Sequence, residues 1–215
     1  MSAESDWQHQ YTTNESIAHH RHQNHIITND FLTHMTFRPK KLMYDSFNNA
    51  KVIVEHGCGT GEMIAEIASK APYTQCYGMD FSEEAIKLAL EYKLQVPNVD
   101  YRVHDIRSAE CPHAGADVCI ISNVIEHFEN WGQIVDRLVD AYNRVLVIVP
   151  YEERIDALPG PAPIDGGGGH CNSFNRNSFM RYRIIEDMVF FSLNGWGVSH
   201  AGECPLLYAI MLEKR

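Results

Sequence analysis

The stretch VIVEHGCGTGEMIAEIA, residues 52–68, sets Gly57, Gly59 and Gly61 at alternate positions between an apolar run and an amphipathic one. The β-branched run reads as a buried strand, the amphipathic run as a helix, and the glycines as the turn that joins them. Such a turn is a binding device. Missing side chains let a ligand approach the backbone, and the helix N-terminus offers N–H groups and a positive dipole, so an anionic group of a ligand is expected there. The spacing G-x-G-x-G puts Glu62 where the dinucleotide fingerprint wants its last glycine, which leans away from NAD.

The residues beyond the turn extend the pattern. KVIVEH, GEMIAEIASKA, QCYGMD, SEEAIKLALEYKL and VDYRVHD alternate strand-like and helix-like runs, and ADVCIIS, a helix over 133–142 and RVLVIVP continue them. This alternation predicts an α/β fold with a parallel sheet, and the nearly unbroken apolar runs suit strands buried on both faces. A chain of 215 residues, 45% hydrophobic and 21% charged, buries one sizeable core. Ahead of the sheet, Ile17, Ala18, Ile27, Phe31 and Met35 recur at helical spacing, and Pro39 opens a second helix with Leu42, Met43 and Phe47. Residues 1–50 are therefore expected to form a helical cap or lid, and residues 51–215 the main domain. After Pro150 a Pro- and Gly-rich stretch, within 151–175, can be neither helix nor central strand and reads as a functional loop. Beyond it, NRNSFMRY predicts a short helix, IIEDMVFFS fits strand or helix equally, and LLYAIMLEK predicts a final strand.

Three carboxylates stand at successive strand ends. Glu55, two positions before Gly57, is awkward beside a pyrophosphate but useful beside an ammonium. Asp80, in YGMDFS, can accept hydrogen bonds from both hydroxyls of a ribose, and Asp105, in YRVHDI, can accept from an adenine amino group. An amino-acid head, a ribose and an adenine across adjacent strand ends describe S-adenosylmethionine. Here the sequence resembles the class I S-adenosylmethionine-dependent methyltransferases, with EHGCGTGE as motif I, MDFS as the ribose-binding acid and VHDI as the adenine-binding acid. The resemblance covers about residues 50–150. It implies a Rossmann-like, doubly wound, mostly parallel seven-stranded sheet, with Phe81 packing on the adenine and the backbone of Ile106 fixing its edge. Cys58, inside the glycine turn, reads as a small packing residue of the cofactor site.

The acceptor side comes after the fourth strand, in SNVIEHFEN, residues 122–130. A similar segment in the quinone-biosynthesis O-methyltransferases and their relatives reads E-x-x-E-H, and some of these bind a divalent cation with it. Asn123 stands at the first position here, before Glu126 and His127, so one charged ligand is lost, no metal is expected, and Asn123 is assigned to the cofactor side. GGGGHCNSFNRNSF loosely resembles the G-H-x-x-x-F-T segment of small methyltransferases associated with sugars and cell-surface glycans. His170 would come from the loop above the pocket, where a neutral imidazole can take a proton from a hydroxyl, with His127 as the next candidate; the alternative is a histidine that only hydrogen-bonds loop backbone. The cluster His19, His20, His22 and His25 lacks acidic or cysteine partners and is read as part of the lid rather than as a metal site, with Arg21 placed to meet the methionine carboxylate.

These readings predict a methyltransferase acting on a small molecule or a glycan intermediate, at oxygen. An N-methyltransferase and a non-catalytic protein that binds the same cofactor remain as alternatives, and Glu55 and Glu62 disfavour a nicotinamide oxidoreductase. The net charge of −10 argues against a nucleic-acid partner. No run approaches a membrane span of about 18 apolar residues, and the six scattered cysteines, without a C-x-x-C pair, predict reduced thiols in a cytoplasm.

Overall fold

The computed structural model describes residues 11, 13–37, 41–93, 95–152, 170–191 and 206–215. Strands β1 (Val52–His56), β2 (Gln75–Asp80), β3 (Val99–Val103), β4 (Val118–Ser122) and β5 (Val145–Pro150) run parallel. The remaining two, β6 (Arg183–Phe191) and β7 (Leu206–Glu213), form an antiparallel pair, and β7 also lies antiparallel against β5. The resulting seven-stranded order is β3-β2-β1-β4-β5-β7-β6. The order reverses between β1 and β4, which opens a crevice at their carboxyl ends where such folds bind ligands.

Helices cover both faces, as a parallel sheet requires. On one face α1 (Asn14–Phe37), α2 (Lys41–Asn48) and α3 (Glu62–Lys70) share a core cluster with Ile53, Cys76, Val118, Ile120 and Leu146. α4 (Glu83–Lys93) buries Ala85, Ile86 and Ala89 and follows β2. On the other face α5 (Trp131–Ala141) packs Ile134, Val135 and Leu138 against Val54, Cys119, Ile121 and Val147. β5 is buried at all six positions, because it has a neighbour on each side and helices or loops on each face. No helix joins β3 to β4; residues 104–117 cross as turns.

The expected cap is two helices, and they dock deeply. Phe31 is fully buried, with its ring 6.3 Å from Phe47 and 6.1 Å from Phe190 of β6. The segment that fitted strand or helix equally is β6: the alternation of buried Met188 and Phe190 with exposed Val189 and Phe191 matches a period of two. The short helix is a 3-10 turn at Arg176–Phe179, capped by Asn175, whose side chain accepts the Asn177 N–H at 2.9 Å. Pro39, Cys204 and residues 153–169, including the glycine run, lie outside the described residues.

Replacing Phe31 by Ala should lower the unfolding free energy by about 3 to 5 kcal/mol, the range for deleting a buried aromatic ring. Urea denaturation measures it. A loss below about 1 kcal/mol would mean that the cap contributes little to the core it shares with the sheet.

Candidate active site

The turn after β1 takes its form from three left-handed glycines, at φ of 73° for Gly57, 52° for Gly59 and 88° for Gly61. Two of them make room for the protein itself. A Cβ on Gly57 would stand 2.3 Å from Val124 Cγ2, and one on Gly61 2.7 Å from the Tyr101 ring. At Gly59 the nearest groups are Tyr11 Oη at 3.2 Å and Asn24 Nδ2 at 3.4 Å. The protein's own groups thus stand close to all three positions, and Gly57 with Cys58 also lines the adjoining cleft. Cys58 is buried inside the turn, and desolvation with nearby Asp80 and Glu55 pushes its thiol well above the ordinary range, consistent with packing rather than nucleophilic work.

The N-terminus of α3, expected to receive an anionic group of the ligand, is occupied by the protein's own carboxyls. Glu55 is buried and accepts the Ile64 N–H at 3.1 Å. Glu62 is buried too, and accepts from Thr60 Oγ1 at 2.7 and 2.8 Å, Asn24 Nδ2 at 3.2 Å and Tyr92 Oη at 3.3 Å. Arg21, expected to meet the methionine carboxylate, bridges α1 to the start of α3 and to α4. It donates to Glu91 at 2.9 Å and to the Leu88 carbonyl at 3.2 Å, with its Nε 3.8 Å from Glu62. α1 is thereby tied over the turn and to α4.

A small open cleft lies at this point, lined by Asn24, Thr28, Glu55, Gly57, Cys58 and Ser122 among others. Its walls come from α1, from the turn after β1 and from the end of β4, the two strands that flank the reversal of strand order.

Asp80, buried at the end of β2, accepts the Gly59 N–H at 2.9 Å with Oδ2 and the Ser82 N–H at 2.9 Å with Oδ1. Desolvation raises its carboxyl, and the backbone hydrogen bonds from Ser82, Gly59 and Phe81 oppose the rise. Phe81 is half-buried and belongs to neither core cluster, whereas Ile106 is buried in the core on the α5 face. The Ile106 carbonyl accepts from Arg137 Nη2 at 2.7 Å. Asp105 is half-exposed and clasped by Arg107, whose Nη2 donates at 2.7 Å and whose backbone N–H donates at 2.8 Å. Burial would raise the Asp105 carboxyl, but the Arg107 contacts prevail and hold it below its ordinary value.

On the far side of Ser122, Asn123 adopts φ 52°, a left-handed conformation for a non-glycine residue, and its backbone N–H donates to the Ile148 carbonyl at 2.9 Å. The chain then makes a 3-10 turn, Ile125–His127, which buries Glu126 completely. His170 meets this turn: its ring lies 4.9 Å from that of His127, edge to face, and one ligand atom from each of Glu126, His127 and His170 lies within 4.8 Å of the others. The segment is fixed from behind, where the Glu126 carbonyl accepts the Cys171 N–H at 2.9 Å and the Phe128 carbonyl accepts from Asn172 Nδ2 at 2.8 Å. Tyr151 pairs with Phe174, and Glu152 N–H donates to the Phe174 carbonyl at 2.8 Å, so the residues just after β5 meet those just before the Arg176–Phe179 turn.

Sequence reasoning missed Tyr11, Asn24 and Thr28, although the stripe of Ile27, Phe31 and Met35 extends back one turn to His20 and Asn24 on the same helix face. Val124 and Tyr101 carried no signal, because their contacts with the glycines join segments remote in the chain.

Residues 53–146 match the family model described as a methyltransferase domain. A carboxy-S-adenosyl-L-methionine synthase of Yersinia pseudotuberculosis is 42% identical over 50 residues, which are 23% of this chain and 21% of that protein. The chain thus spans about a fifth of the length of this curated relative. Among solved structures, magnesium protoporphyrin IX methyltransferase of Synechocystis PCC 6803 with bound SAH aligns over 98% of this chain and 94% of its own, at 13% identity and a TM-score of 0.61. The N-terminal domain of EvdMO1, crystallised in the presence of SAH and D-fucose, aligns over 81% of each chain at 14% identity and a TM-score of 0.57. Both likenesses bear on the fold.

Burial and the nearby Glu62 raise the Glu55 carboxyl from 4.5 to about 8, so it carries a proton at neutral pH. The folded state therefore keeps a proton that the unfolded chain has released. The Glu55 contribution to stability is full below about pH 4.5 and is lost as the pH rises through about 8. Glu55→Gln keeps the acceptor for Ile64 and removes the titration. Its Tm, relative to that of the unaltered protein, should rise progressively between pH 5 and pH 9; parallel curves would mean that Glu55 is already ionised when folded.

Proposed function

We propose, from the match of residues 53–146 to a methyltransferase domain, that the chain transfers the methyl group of S-adenosylmethionine to a hydroxyl of a small-molecule or sugar-containing acceptor. The reading rests on one observation above others. The glycine turn after β1, the buried Asp80 that ends β2 and Asp105, two residues past β3, lie at the same end of adjacent parallel strands.

The cofactor's amino-acid head lies in the cleft over Gly57, Cys58 and Gly59, and Asn123 completes the cofactor side beside Ser122. The head's ammonium lowers the Glu55 carboxyl so that its proton leaves to solvent, turning a neutral buried acid into a counter-charge. Asp80 has lone pairs beyond those that accept the Gly59 and Ser82 N–H groups, and these accept the ribose hydroxyls. Phe81 packs on the adenine, the Ile106 backbone fixes its edge, and Asp105 turns from Arg107 to the adenine amino group. Tyr11 and Asn24 close over the head and make the cap a lid. Methyl transfer is an in-line displacement, so alignment and exclusion of water supply most of what the protein contributes. His127 and His170 are assigned to the acceptor, whose hydroxyl they activate. The domain likeness to a protein crystallised with SAH and D-fucose supports a sugar-bearing acceptor. Among the described residues no helix is long and apolar enough to cross a membrane, and the described cysteines form no disulfide, which fits a cytoplasmic enzyme.

Calorimetry with S-adenosylmethionine, its demethylated product and NAD tests the assignment: the first two should bind and NAD should bind far more weakly. Asp80→Asn should weaken cofactor binding by about 1.5 to 3 kcal/mol for each charge-assisted hydrogen bond lost. Saturable NAD binding without binding of the methyl donor would refute the function. With an acceptor in hand, His170→Ala should slow turnover by about 10²-fold while leaving cofactor affinity nearly unchanged. Cofactor binding without turnover of any tested alcohol or amine would favour a non-catalytic binding protein.

A further inference from the structure

We propose that Glu126, His127 and His170 bind one divalent transition-metal ion. The ion's effect on catalysis rests on the methyltransferase reading, whereas its binding does not. The sequence argued against a metal because Asn123 removes a carboxylate from the segment after β4. The fold supplies a donor that the segment lacks, by bringing His170 from far along the chain onto Glu126 and His127.

Donor atoms around one ion at about 2.1 Å stand about 3 to 3.5 Å from each other. The three side chains already lie within 4.8 Å of one another, so small rotations of the imidazoles close the difference. Glu126 is wholly buried and the two histidines are half-buried, so an ion held among them is partly shielded from bulk water. The cluster is built in advance, because the Glu126 carbonyl and the Phe128 carbonyl hold Cys171 and Asn172, which fix His170 against the turn. Two imidazoles and one carboxylate suit zinc, cobalt, iron(II), nickel or manganese rather than magnesium or calcium, which prefer all-oxygen sites. Three protein ligands also leave coordination positions open.

An acceptor hydroxyl in an open position would be acidified by the ion. Its proton leaves to solvent water, its oxygen forms a bond to the methyl carbon, and the carbon–sulfur bond breaks with its electron pair on sulfur. His127 and His170 then act on the acceptor as ligands, and no side chain has to serve as base.

Cobalt(II) titration of the full chain, stripped by a chelator, gives a readout independent of turnover. One equivalent should bind with visible d–d bands, and zinc should displace it. His170→Ala and Glu126→Gln should each weaken binding by about tenfold or more, while the double variant His22→Ala, His25→Ala should bind as the unaltered protein does. Calorimetry with S-adenosylmethionine on the same samples monitors folding and should be unchanged by His170→Ala. Absence of a stoichiometric cobalt site in a sample that binds the methyl donor would overturn the metal site and leave the methyltransferase reading intact. Loss of cobalt binding in the His22, His25 variant but not in His170→Ala would overturn it too.

Discussion

Asp80 accepts the Gly59 N–H with one oxygen and the Ser82 N–H with the other, so the turn after β1 and the start of α4 hang from one buried carboxylate. The same turn is held from below, where the Met79 carbonyl accepts from the N–H groups of Gly57 at 2.7 Å and Cys58 at 3.0 Å. With both strand ends fixed, Val124 and Tyr101 can close against Gly57 and Gly61 without room for a side chain. Position at this edge of the sheet is therefore set by backbone contacts, and the cap that covers it is set against that rigid reference.

Three carboxyls, Glu55, Glu62 and Asp80, are buried within one small region, and burial raises each of them. Their closeness makes them compete for charge. Glu62 is relieved by Thr60, Asn24 and nearby Arg21, whereas Glu55 has one backbone donor and keeps its proton. A site with an acid of this kind gains most from a ligand that brings positive charge, and least from a phosphate-bearing one. That asymmetry is the physical content behind the departure from the dinucleotide pattern at Glu62.

The alternation of strands and helices from Lys51 to Pro150 was legible because its signals are local: apolar runs, helical stripes and glycine punctuation. The carboxylates at the strand ends were legible for the same reason, each closing a recognisable strand. The edge hairpin was harder. IIEDMVFFS is apolar at both periods, and only pairing with β7, whose sequence is unmistakably strand-like, decides it. What escaped entirely depends on contacts across the chain. Nothing near Glu62 announces Asn24 or Tyr92; His170 and His127 were legible as acceptor-side candidates, but their closeness to each other and to Glu126 was not. The acids that hold Arg21, Glu62 and Glu91, belong to α3 and α4, and nothing beside Arg21 in the sequence announces them.

The pairing of Tyr151 with Phe174 pinches the chain where it leaves β5 and where it returns. The clasp holds the two ends of the segment together, at Tyr151 and at Phe174, whatever its length. The entropy of closing a segment grows only with the logarithm of its length, so lengthening or shortening it shifts stability by little. Variation in the length of that segment can therefore leave the strand ends it joins, and the register of the sheet, unchanged.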